Sequence, residues 1–88
     1  MPPSTISVTI RFFASVKDVA KKSETTVELP GASVADDVLS YLITQYPEMQ
    51  RFRSYIRIAV NEAYVDPGFT LHDGDDVAII PPVSGGVE

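Results

Sequence analysis

The sequence predicts an α+β fold: one mixed sheet of about five strands, with one main helix laid across one face. Three observations carry that expectation. Two segments near the N-terminus alternate apolar and polar residues with the period of two that a half-buried strand requires. One later segment repeats apolar residues at helical spacing. The remainder breaks into short apolar runs separated by Asn-Glu, Pro-Gly and Asp-Gly pairs, which suit tight turns.

Ser4 to Phe13 is the first strand. Ile6, Val8, Ile10 and Phe12 fall on one face, and Ser7, Thr9, Arg11 and Phe13 on the other. Phe13 is thus an apolar residue on the polar face. Ala14 to Lys22 is mixed and polar, with one helical turn expected from Ser15 to Ala20. Glu24 to Leu29 alternates again, Thr25, Val27 and Leu29 pointing inward, and Pro30-Gly31 stops it. Ser33 has the form of a helix N-cap, with Asp36 placed to reach back to the cap and to meet the positive helix end. Ala35, Val38, Leu39, Leu42 and Tyr46 form the apolar stripe of the main helix, which Pro47 ends. Glu48 to Ser54 reads as a loop or a short helical turn. Ile56 to Val60 is the third strand, alternating with Arg57 and Ala59. Asn61-Glu62 turns it into a short fourth strand, Ala63 to Val65. Pro67-Gly68 and Asp73-Gly74 mark two more turns. Asp76 to Ile80 is the last strand, closed by Pro81-Pro82, which cannot continue a ladder. Strand, strand, helix and then several strands is a layered α+β order, and it fits a β-grasp domain spanning residues 1–82.

Residues 83–88 form the expected flexible tail. Two prolines stiffen the exit, and Gly85-Gly86 make the end thin and free in φ. From Pro82 to Gly86 the fully extended reach is roughly 13–14 Å, enough to thread a narrow channel in another protein.

Composition excludes several classes of function. The 88 residues contain no cysteine and one histidine. A disulfide framework, a thiolate metal site, a thiol nucleophile, a His-based zinc site and an ordinary triad are therefore ruled out. Seven Lys+Arg against twelve Asp+Glu leave a net charge of −5, which repels phosphate backbones, so no nucleic acid is expected as partner. The apolar runs are too short to span a bilayer, so no membrane partner is expected. Met1 to Phe13 has no basic stretch before an apolar one, so no secretory signal is read and the expected location is cytoplasmic.

Three segments resemble a known family. Thr9-Ile10-Arg11-Phe12-Phe13-Ala14-Ser15-Val16, Ile58-Ala59-Val60-Asn61-Glu62, and Leu71 through Gly86 with its Pro81-Pro82-Val83-Ser84-Gly85-Gly86 close are similar to the sulfur-carrier small subunits of molybdopterin synthase, in the MoaD/ThiS-like ubiquitin-like family. The similarity runs from Ile6 to Gly86. A terminal Gly-Gly alone is weak evidence; Gly-Asp-x-Val followed by Pro-Pro-Val-Ser-Gly-Gly is specific.

The resemblance implies that the Gly86 carboxyl, next to Gly85, is adenylated by an ATP-dependent activating enzyme and converted to a thiocarboxylate by a sulfur donor system. It implies transfer of that sulfur to a pyranopterin precursor in molybdenum cofactor biosynthesis, within a heterotetramer. The large subunit supplies the acid–base groups. The chain itself binds no cofactor and is not an enzyme alone. By the same analogy Phe13, Ile80 and Tyr64 form an exposed apolar docking patch. Lys17 is a rim contact, and Pro81, Pro82, Val83 and Ser84 guide the tail into the partner.

Asp73, Asp75 and Asp76 lack the remaining ligands of a calcium loop and read as a solvated turn. His72 reads as a loop histidine without a special role, and Lys21 and Lys22 as solvated. Alternative functions stay open: a carrier for thiazole, cysteine or tRNA thiolation, a protein modifier, or a β-grasp interaction module that is never activated. Val87 and Glu88 follow Gly86, and their peptide bond occupies its carboxyl. Either a peptidase trims them or they belong to a cloning junction.

Overall fold

The computed structural model describes residues 4–81. Five strands build one sheet: β1 (Thr5–Phe12), β2 (Glu24–Pro30), β3 (Arg57–Val60), β4 (Ala63–Val65) and β5 (Asp76–Ile80). Their spatial order is β2-β1-β5-β3-β4. β1 and β5 run parallel at the centre, and the other pairs are antiparallel. Two helices, α1 (Ala14–Ala20) and α2 (Ala35–Gln45), and a 3-10 segment (Pro47–Tyr55) complete the fold. This is the mixed five-stranded β-grasp arrangement that the strand pattern predicts.

The alternation in β1 sets the core. Ile6, Val8, Ile10 and Phe12 are buried, together with Val77 and Ile79 of β5 and Ile58 and Val60 of β3. The stripe of α2 (Ala35, Val38, Leu39 and Leu42) is buried too. Tyr46, just past α2, meets Phe12 edge-on with ring centres 6.4 Å apart.

Four local expectations change. The expected single turn after β1 is a two-turn helix, because Val16 and Ala20, four residues apart, both bury. Lys21 ends it in the left-handed conformation at φ 59°, donating its N–H to the Lys17 carbonyl. The cap of α2 shifts from Ser33 to Val34. Val34 is extended and bridges to Thr70, and the first helical N–H groups, of Ala35 and Asp36, donate to the Phe69 and Pro67 carbonyls (2.9 Å each). Backbone carbonyls thus satisfy donors that a serine would otherwise serve. Asp37, not Asp36, accepts the Val34 N–H (2.8 Å), while the Ser33 hydroxyl donates to the Pro30 carbonyl and Asp36 pairs with Arg53 (2.9 Å). The stretch after Pro47, expected as a loop or a short helical turn, is a longer 3-10 segment of nine residues, Pro47–Tyr55, that buries Met49.

The fourth change concerns the acidic turn, which is a brace rather than a merely solvated loop. Asp75 is buried; its carboxylate accepts the His72 N–H (2.7 Å) and the Asn61 side-chain amide (3.0 Å). Asp73 accepts the Ser7 N–H at 2.7 Å. Asn61 and Glu62 both take positive φ, 51° and 72°, the two left-handed positions of a type I′ hairpin turn. The Asn61 side-chain oxygen then accepts the Asp76 N–H at 3.0 Å. The β3–β4 hairpin and the start of β5 are thereby tied together.

Candidate docking face

The sheet face opposite α2 is the exposed one, and its residues follow from the register. Along β1, Thr9 lies beside Asp76 and Arg11 beside Ala78; Phe12 lies beside Ile79, so Phe13 and Ile80 come next. Across β5 and β3, Ala78 lies beside Ala59 and Ile80 beside Arg57. Across β3 and β4, Ala59 lies beside Tyr64. Phe13, Ile80, Ala78, Ala59 and Tyr64 therefore make an oblique apolar strip. Phe13 is 45 % and Tyr64 62 % exposed, and Ile80 is half-buried. Ala59 is buried although it belongs to this outer face: a methyl group between larger neighbours lies low on the pleat.

Phe13, Ile80 and Tyr64 thus share one face, but the strip is not purely apolar. Arg57 stands beside Ile80 and lays its guanidinium over the Tyr64 ring, 4.6 Å from its centre. The strand pattern held the signal for this residue: Arg57 and Ala59 alternate onto the same face as Ala78 and Ile80. Alternation alone gives Arg57 a face and no role.

Beside Ala78, on β1, the chemistry turns ionic. Arg11 donates from Nε to both Asp76 carboxylate oxygens at 2.8 Å and from Nη1 to Glu24 at 2.7 Å. The hydrogen bond to Asp76, its negative charge and that of Glu24 raise the Arg11 pKa above its usual value. Arg11 therefore flanks the strip with an ion cluster across three strands that carries one net negative charge.

Lys17 projects from α1, exposed, and shares a cleft with Arg11, Phe13, Ala14 and Glu24. Among the described residues it has no carboxylate within ion-pair distance. Pro81, directly after β5, is buried. Pro82, Val83, Ser84, Gly85 and Gly86 lie outside the described residues. Among the described residues no group of three or more His, Asp or Glu is placed to hold a metal, and no helix is long and apolar enough to cross a membrane.

Comparison with known proteins adds chemistry to this geometry. The pattern that defines the ThiS family matches residues 10–86. The molybdopterin synthase sulfur carrier subunit of Chlamydomonas reinhardtii is 36 % identical over 83 residues, spanning 92 % of this chain and 100 % of that one. A putative molybdopterin converting factor, subunit 1, from Pyrococcus furiosus superposes with a TM-score of 0.80 at 27 % identity, covering 89 % of this chain and 99 % of that one. SAMP1 from Haloferax volcanii superposes with a TM-score of 0.81 at 27 % identity, covering 91 % and 99 %.

Proposed function

Because the chain belongs to the ThiS family, we propose a sulfur-transfer chemistry for its C-terminal segment. The chain is the sulfur-carrier small subunit of a molybdopterin synthase. It is not an enzyme alone; it is the sulfur-donating member of a complex. The observation that supports this most directly is end-to-end similarity to a carrier of that name, over the whole length of that relative.

A carboxylate resists nucleophiles because oxide would have to leave. The activating enzyme overcomes this by letting the Gly86 carboxylate attack the α-phosphorus of ATP, releasing pyrophosphate and forming an acyl adenylate. A persulfide sulfur then displaces AMP, and a thiol cleaves the resulting S–S bond, leaving a C-terminal thiocarboxylate. That sulfur is the nucleophile toward the pyranopterin precursor. Water afterwards hydrolyses the thioester and returns the Gly86 carboxylate. Two such transfers give the dithiolene that binds molybdenum or tungsten. The carrier needs no cysteine, acid or base of its own, which suits a chain that contains no cysteine. Its contribution is the tail and the surface that aims it, with Phe13, Lys17, Tyr64 and Ile80 on that surface.

The test is reconstitution. A chain ending at Gly86, with its activating enzyme, ATP and a sulfur donor, gains the mass difference between one sulfur and one oxygen. With the large subunit and the pyranopterin precursor it then yields the dithiolene product. Failure of the second step after success of the first assigns the sulfur to another acceptor.

A further inference from the structure

Among the described residues Arg57, like Lys17, is a cation of the docking face that no carboxylate engages. Arg11 is held by Asp76 and Glu24, and Arg53 by Asp36. Asp66 follows Val65, the partner of Ile58, so the hairpin register brings it next to Arg57. Yet among the described residues Arg57 forms no ion pair and donates no side-chain hydrogen bond. Its guanidinium rests over Tyr64 instead. A guanidinium held on an aromatic face has its position fixed while its N–H donors remain free, which suits paired bonds to a carboxylate. Arg57 and Tyr64 also border a cleft of about 350 Å³ with Leu39, Ile58 and Val65 on its apolar side. A contact made there is partly sheltered from water, where charge pairing is stronger.

We propose that Arg57, held by Tyr64, is a specificity-determining contact for the large subunit of molybdopterin synthase. It pairs with a carboxylate side chain that the large subunit presents beside the Phe13–Ile80 strip. The inference rests on the sulfur-carrier function above. In a chain of net charge −5, an available cation at the Tyr64 end of the apolar strip makes the choice local: it favours a carboxylate and disfavours a basic group on the partner at that point. Asp66 borders the same cleft and competes for the guanidinium.

Calorimetric binding of the purified large subunit from the same organism, repeated across a salt series, tests this for the unaltered chain and for Arg57→Ala, Arg57→Lys and Asp66→Asn. Arg57→Ala is expected to weaken binding about tenfold or more and to flatten its salt dependence. Arg57→Lys keeps the charge without the planar fork and falls between. Asp66→Asn, which removes the competitor, tightens binding roughly two- to threefold. Unchanged thermal melts show that each variant folds, and Arg57→Lys carries the test should Arg57→Ala not fold. Equal affinity and an equal salt slope in the Arg57 variants overturn the inference and leave the sulfur-carrier function standing. Weaker binding with an unchanged salt slope also overturns it, since packing and not charge is then lost. No binding by the unaltered chain overturns that function itself.

Discussion

The Asn61 side-chain amide donates to the Asp75 carboxylate at 3.0 Å, joining the β3–β4 turn to the residue that precedes β5. Asp75 is 9 % exposed and also accepts the His72 N–H. One carboxylate therefore holds two donors from different parts of the chain.

Asp75→Ala leaves both donors short of an acceptor in a partly buried site. The expected loss of stability is roughly 2–3 kcal/mol, the range for removing a charged acceptor from buried partners. Asp75→Asn is not a rescue, because its amide nitrogen turns a donor toward one of the two existing donors. Urea unfolding of the three chains checks this; equal midpoints refute the brace.

Ile80→Asp is expected to weaken binding to the large subunit by roughly 2 kcal/mol or more, the range of an interface anchor. Two effects combine: the apolar anchor is lost, and a carboxylate at position 80 stands beside Arg57. Ile80→Ala separates them, removing the anchor alone. The fold survives both changes because position 80 faces away from α2. An unfolded Ile80→Asp chain, seen by circular dichroism, places this side chain in the core instead.

Lys21→Gly is expected to stabilise the domain by about 0.5–1 kcal/mol. Lys21 ends α1 at φ 59°, ψ 32°, a region that glycine enters without the cost borne by other residues. The melting temperature should rise, with thiolation at Gly86 unaffected. A lower melting temperature would mean that the lysine stem packs more than its exposed position indicates.

A chain ending at Gly86 should accept sulfur, and one continuing through Val87-Glu88 should not unless a peptidase is present. Adenylation needs a free carboxylate, and in the longer chain a peptide bond occupies that group. Gly86→Ala in the shorter chain should slow thiolation sharply, because a methyl group obstructs close approach to the backbone. Intact mass of each product decides the matter. Equal thiolation with Val87 and Glu88 still attached removes Gly86 as the sulfur-bearing residue.

Much of the architecture is legible in the chain because burial there is periodic. The alternation of Ile6 through Phe12 and the Ala35-to-Leu42 stripe each state a period, and turn pairs mark the ends of β4 and β5. What escapes is what depends on distant partners. Val34 caps α2 only because residues 67–70 return to meet it. Asp75 is buried only because Asn61 arrives from the hairpin. α1 shows two buried side chains, too few for a convincing stripe. The same holds for the docking face. Phe13 betrays itself as an apolar residue out of phase. Arg57 looks like any strand cation until the register sets Tyr64 within reach of it.

β5 is paired on both sides, parallel to β1 and antiparallel to β3, and the segment bearing Gly86 continues from its end. Any pull on that segment loads β5 along its length. Both ladders then resist in shear, so their bonds must yield together and not one after another as at a peeled edge. A partner that draws the tail into its own site can therefore tug on this domain without unravelling it. β5 is thus a mechanical anchor for any load applied through the residues that follow it.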